Sequence, residues 1–267
     1  MGRSTKVSGA SVPKQSTRKS QNLGCYVYGI VPADTRLASD QQGLGDPAGK
    51  VKLVKHGEIA AVVSDVNVEE PLGRPGDFLA HEGVLDTVVA RGPVLPFRFG
   101  AVLTNADAVV QELLEPHHDD FHAALGELRG MAEYVVKGRY AEQAVLTEIL
   151  AESPEAQSLR ETLRGRPEDA TRNERIRLGE IITASIEAKR DMDTRMLLDG
   201  LSGHYAQASL REPTHEWDAV HVALLAEVED QKGLERALQE FGERWTGRVD
   251  LRLLGPMAPY DFVIAQA

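Results

Sequence analysis

Cysteine is almost absent from this chain: among 267 residues there is one, Cys25, inside the apolar stretch CYVYGIV. A single thiol can form neither an intramolecular disulfide nor a thiolate metal cluster within one chain. It is expected to be a buried strand cysteine in a cytoplasmic protein. Long apolar runs are missing too. No stretch approaches the roughly 18 to 20 residues needed to cross a bilayer, so no membrane contact is expected. Acidic residues are missing from residues 1–22, which carry Arg3, Lys6, Lys14, Arg18 and Lys19 amid Ser, Gln and Gly. Such a segment has too little apolar surface to offset the cost of ordering, and residues 1–22 are expected to form a disordered basic leader. It has no apolar h-region, which excludes a secretory signal. The whole chain carries a formal charge of -11, which argues against a nucleic-acid-binding body.

Signatures of catalysis are also lacking. The loop GLGDPAGKV, residues 43–51, is the nearest approach to a phosphate cradle. It has Leu44 where a P-loop needs its first glycine and Val51 where it needs a hydroxyl after Lys50. No G-x-S-x-G nucleophile elbow occurs. In HHDDFH, residues 117–122, His118 and His122 are four apart and can share a helix face. Two imidazoles alone do not make a metal site, and the aspartates equally suit a helix N-terminus. Asp65, Glu69 and Glu70 could supply an acid/base pair, but with 41 acidic residues a cluster of three is uninformative. No catalytic residue, cofactor or metal is expected.

What the chain does contain is alternation. GCYVYGIVP predicts a first strand ending at Pro32, with Tyr26, Tyr28 and Ile30 on one face and Cys25, Val27, Gly29 and Val31 on the other. VKLVKHGEIAAVVSDV predicts a hairpin turning at Gly57. Asp77 is a candidate N-cap for a helix over 77–90 that turns Phe78, Leu85 and Val88 or Val89 toward a sheet. In GPVLPFRFGAVL, residues 92–103, Pro96 interrupts a strand and favours an edge or a bulge. Alternation there puts Leu95, Phe97 and Phe99 on one face and Arg98 on the other. Arg98 then pairs with a carboxylate or meets a partner at the sheet. Helices are predicted from Asp107 to before Pro116 and over His117 to Leu128, followed by a strand at MAEYVVKG.

From Ala141 to Leu198 the pattern is helical, with Ser153 capping a helix that starts at Pro154. A long helix over RNERIRLGEIITASIEAKRDMDTRMLLDGL carries the stripe Leu178, Ile182 and Ile186, its other faces charged and solvated. Alternation returns near YAQASL and over 219–229. A helix over 231–245 then aligns Leu234, Leu238, Phe241 and Trp245, and a last strand places Val249, Leu251 and Leu253 together. These elements predict an α+β fold of two domains, 23–140 and 141–267. Each is a modified ferredoxin-like arrangement of sheet and helices, the second with a helical insertion.

Four stretches in this order, YVYGIV, HGEIAAVVSDV, VLPFRFGAVL and GPMAPYDFV, resemble the GvpL/GvpF family of gas vesicle accessory proteins from about residue 24 to the C-terminus. The last departs from the family's GPWPPYNF type of ending at Met257, Ala258 and Asp261. The resemblance implies a noncatalytic protein of gas vesicle formation, cytoplasmic and associated with vesicles, that binds the hydrophobic shell subunit GvpA and other accessory proteins. Tyr26, Tyr28, Arg98 and Phe99 are its candidate contact or framework positions, with sheet packing the competing role for the aromatic three. Tyr260 and Phe262 are expected to pin the tail against the second domain. The alternatives are a scaffold linking several accessory proteins and an enzyme with an unrecognised site.

Overall fold

Ten residues rich in Val, Ile and Tyr make β1, Leu23–Pro32, the strand around which the first half is built. The computed structural model describes residues 23–263; the expected basic leader at 1–22 lies outside the described residues. The hairpin of β2, Lys52–His56, and β3, Ile59–Asn67, turns through Gly57 at φ 56°, a left-handed conformation that suits glycine. After α1, Pro75–Val89, come the short strands β4, Leu95–Pro96, and β5, Val102–Leu103. The sheet runs β2-β3-β1-β4, with β5 also paired to β1, so Pro96 sits on an edge strand where its missing N–H costs no ladder bond.

A bulge changes the faces expected of β1. The register with β3 shifts between Val27 and Gly29, so strict alternation fails after Tyr28. Tyr26, Tyr28 and Val31 share one core, while Ile30 joins Cys25 and Val27 in the other. On the tyrosine side lies α1, burying His81, Val84, Leu85 and Val88. This helix starts earlier than expected. Asp77 is its third residue and accepts the backbone N–H groups of Gly73 and Arg74, both at 2.9 Å. Phe78 is 45% exposed instead of facing the sheet.

The other face is covered by α2, Ala106–Ala108, which widens into a π turn over Val109–Leu114, and by α3, His118–Glu127. The π turn closes with the Glu115 N–H donating to the Val110 carbonyl at 2.8 Å. Val109, Leu114, Phe121 and Leu125 bury the sheet face here.

The strand expected at MAEYVVKG is β6, Met131–Tyr140, and it pairs only with elements of the second half. The sequence division at 140 therefore separates a strand from its sheet. Three helices follow: α4, Glu142–Glu152; α5, Pro154–Leu163, whose first turn is capped by Ser153 Oγ accepting the Ala156 N–H; and α6, Arg172–Leu201. Then come β7, Gln207–Leu210; β8, Asp218–Glu227; α7, Gln231–Arg244; and β9, Val249–Met257. The order is β7-β8-β6-β9, all antiparallel, so in both sheets the first strand lies between the third and the fourth.

The core of this unit joins Tyr134, Val136, Val220, Val222 and Leu224 to Leu234, Leu238, Phe241 and Trp245 of the α7 region. One face of α6 is not simply solvated. Lys189 and Asp193 are buried beside Ile186 and Leu197. Lys189 Nζ reaches Glu148 at 3.2 Å and Glu152 at 2.8 Å, while Asp193 takes Arg248 at 2.8 Å and the Tyr140 hydroxyl at 2.6 Å. Each buried charge thus has a partner, as the cost of burying ions demands.

Candidate functional site

Two residues apart and ahead of the shift in register, Tyr26 and Tyr28 face the same side of β1, and neither exposes any surface. The Tyr28 hydroxyl lies 2.8 Å from Ser64 Oγ of β3 and accepts the Leu44 N–H at 2.8 Å. A Cβ on Gly43 would stand 2.2 Å from that hydroxyl, so only glycine fits. The glycine loop is thus packed against the sheet at Gly43 and Leu44.

The Tyr26 hydroxyl accepts the Gly100 N–H at 3.0 Å and meets His81 Nδ1 at 2.9 Å. The other ring nitrogen of His81 lies 2.9 Å from the Tyr260 hydroxyl, 179 residues away. Burial pushes the His81 pKa down and the Tyr26 phenol up to about 12; burial raises Tyr28 and Tyr260 as well. The neutral imidazole can donate from one nitrogen and accept at the other, which satisfies both phenols. With both nitrogens engaged and both phenols protonated, the chain ties three segments together and leaves no free base. His81 escaped the sequence reading, although its spacing with Val84, Leu85 and Val88 marks it as a polar residue on an apolar helix face.

The tail makes the next connection. Glu133 of β6 is fully buried, receives Arg211 Nη2 at 2.7 Å, and accepts the backbone N–H of Asp261 at 3.0 Å. Arg211 also binds the Asp261 carboxylate. Burial outweighs these partners and pushes the Glu133 carboxyl up to about 7. The expected anchoring of the tail is corrected by this arrangement. Tyr260 reaches His81 on α1, and Phe262 packs in the core beneath the first sheet, so these two rings pin the tail to the first unit while Asp261 holds the second.

Arg98 and Phe99 lie where the chain leaves the ladder between β4 and β5. Phe97 packs below the sheet on Phe121, whereas Phe99 lies on the tyrosine side, so the two phenylalanines do not share a face. Phe99 stacks on Phe78 with centroids 4.2 Å apart. Arg98 is exposed and belongs to no ion pair among the described residues, which removes the carboxylate partner expected for it. Next to Phe78, Leu79 is 69% exposed. Leu23, Val68 and Val102 are exposed as well, and Val68 and Val102 both border Gly24. Exposed apolar side chains therefore lie where α1 begins and around β5, and the exposed arginines Arg74 and Arg98 beside them make no ion pair among the described residues.

His118 and His122 stack parallel at 6.2 Å, with His118 Nδ1 on Asp119 at 2.9 Å. Among the described residues, no group of three or more His, Cys, Asp or Glu side chains is arranged to hold a metal, and no helix is long and apolar enough to cross a membrane.

Residues of all four sequence stretches meet around His81: Tyr26 and Tyr28, Ser64, Phe99 and Gly100, and Tyr260. A family model described as gas vesicle synthesis protein GvpL/GvpF matches residues 24–264. The chain belongs to the GvpL/GvpF family. It is 30% identical over 242 residues to gas vesicle protein F of a Streptomyces species, covering 90% of this chain and all of that one. It is 26% identical over 258 residues to gas vesicle protein L1 of Halobacterium salinarum, 90% of each chain. The crystal structure of GvpF from an Anabaena species superposes with a TM-score of 0.75 at 22% identity, covering 91% of this chain and 99% of that one. GvpF from Microcystis aeruginosa gives 0.72 at 22% identity, covering 90% and 98%. The two structures share the fold.

Proposed function

We propose that this GvpL/GvpF protein is a noncatalytic gas vesicle assembly factor, cytoplasmic and vesicle-associated, whose first unit takes hold of the shell subunit GvpA. The supporting observation is the apolar surface of Phe78, Leu79, Phe99, Leu23, Val68 and Val102, with Arg98 unpaired at its edge. Shell subunits before assembly expose apolar surface that would otherwise aggregate, and a partner of this kind can cover it. A noncatalytic role agrees with the titratable groups. His81, Tyr26, Tyr260 and Glu133, whose pKa values are displaced, are bonded to one another or to neighbouring side chains within packed interior.

Both sheets place their strands in the order second, third, first, fourth, and we read both units as modified ferredoxin-like folds. In the second, α4 to α6 form the insertion, and the division falls near Gly130. Similarity along the full length of a Streptomyces protein F, against 42% of this chain for the protein L of that species, favours an F-like member.

Deletion of the gene followed by electron microscopy should leave cells without vesicles, and a tagged copy should bring GvpA down from an otherwise normal strain. Normal vesicles in the deletion strain, or a tagged copy that never retains GvpA, would remove the proposal.

A further inference from the structure

Away from the apolar surface, three clefts with volumes of 320, 660 and 480 Å³ share their walls. Arg129 borders all three, Pro32 and Asp34 border two, and Gly92 borders two, so together they form one groove. Its middle section gathers Arg36, from the loop after β1, Arg91, just past α1, and Arg129, just past α3. Arg91 Nη1 donates to the Arg36 carbonyl at 2.9 Å, which fixes one guanidinium at the rim. All three arginines are exposed, and none belongs to an ion pair among the described residues.

A cation just past a helix is favoured by the helix dipole, which accounts for Arg91 and Arg129 one at a time. It accounts neither for Arg36 nor for the convergence of three like charges on one cleft. The surroundings sharpen the contrast. Setting aside the five basic residues of positions 1–22, the rest of the chain holds 25 Lys and Arg against 41 Asp and Glu. Asp34 is the one acid on the middle cleft; Glu58 lies toward one end and Glu227 and Glu229 toward the other.

We propose that this groove docks a short acidic segment of a partner protein. Carboxylates of the segment face Arg36, Arg91 and Arg129, and apolar side chains flank them toward Leu125 at one end and Met131 and Val228 at the other. Guanidinium groups suit carboxylates through paired N–H donors. A groove of three sections, cationic in the middle and mixed apolar and acidic at its ends, fits a peptide with central carboxylates better than one small anion. Residues 1–22 contain five basic residues and no carboxylate side chain, so they do not supply the acidic segment. The groove lies at the C-terminal end of α1 and the Phe78 surface at its N-terminal end, roughly 20 Å apart along 15 residues. One molecule can then hold two partners at once, which gives the scaffold reading a physical location. The inference does not depend on GvpA being the occupant of the other surface.

The test uses the full chain and a fluorescein-labelled peptide with four central glutamates between leucines, followed by fluorescence anisotropy. Binding to the wild type should weaken at least tenfold in R36Q/R91Q/R129Q, weaken with added salt, and vanish when the glutamates become glutamines. R166Q, which changes an exposed arginine outside both surfaces, should bind like the wild type. R129Q alone should weaken binding severalfold and serves if the triple variant loses its fold. No binding by the wild type, equal binding by the groove variants, or an equal loss in R166Q would overturn the proposal. Displacement by inorganic phosphate at millimolar concentration would assign the site to a small oxyanion instead. Self-association in sedimentation velocity that the triple variant abolishes would assign it to a second copy of the chain.

Discussion

His81 shows how a single side chain ties distant sequence together. Its ring, 3% exposed, bonds Tyr26 at one nitrogen and Tyr260 at the other. Burial holds its pKa below the ordinary value, so the unfolded chain takes up a proton near pH 6.5 that the native state refuses. Below that pH the unfolded state binds more protons. The contribution of His81 to stability is therefore complete above about pH 6.5 and is lost as pH falls. In urea titrations between about pH 7 and pH 5, His81→Gln should lose stability less steeply than the wild type; equal slopes would mean that the imidazole is already charged in the fold. Arg98, exposed and without an ion pair, contrasts with it. Arg98→Ala should change unfolding free energy by no more than about 0.5 kcal/mol.

The elements reveal why some features were legible in the sequence and others were not. The period of Leu234, Leu238, Phe241 and Trp245, the cap at Ser153 and the alternation of Val220, Val222 and Leu224 are local signals, and each side chain lies where its period places it. The bulge at Tyr28 is decided by pairing with β3, the π turn by packing beneath the sheet, and the sheet that owns β6 by partners about 90 and 120 residues away. None of these leaves a pattern within its own segment. The candidate site was half visible for the same reason. Tyr26, Tyr28 and Phe99 stood out as aromatics, but Glu133 and Arg211 acquire meaning only when the tail arrives.

Glycine substitutions separate the two kinds of position. A Cβ on Gly29 would lie 2.6 Å from the Leu95 carbonyl oxygen, so Gly29→Ala must push β4 from β1 and should cost about 1 to 3 kcal/mol. Gly83 on α1 has nothing within 4 Å of such a Cβ, and Gly83→Ala should stabilise by about 0.5 to 1 kcal/mol. Chemical denaturation of both variants checks the pair.

At the scale of the molecule, the segment after β9 acts as a strap. Ala258 is buried in the tyrosine-side core, Tyr260 bonds α1, Asp261 pairs with Arg211 of the second unit, and Phe262 enters the core below the first sheet. Leu225 of β8 joins that same lower core, so the units also touch without the strap. Removing residues 258–267 should lower the melting temperature and broaden or split the calorimetric transition. A truncated chain that melts like the full one would show that the strap holds nothing.

The proposed role requires the exposed apolar side chains at the start of α1 to be a contact for the shell subunit. Leu79 is the cleanest probe of it, since at 69% exposure its side chain contributes little to the fold. The decisive measurement is retention of GvpA by purified full-length protein, comparing the wild type, Leu79→Ser and Leu79→Ser with Arg98→Ala, with melting temperatures recorded alongside. Retention should fall at least severalfold in Leu79→Ser and further in the double variant at unchanged melting temperature; undiminished retention by a folded double variant would contradict the account.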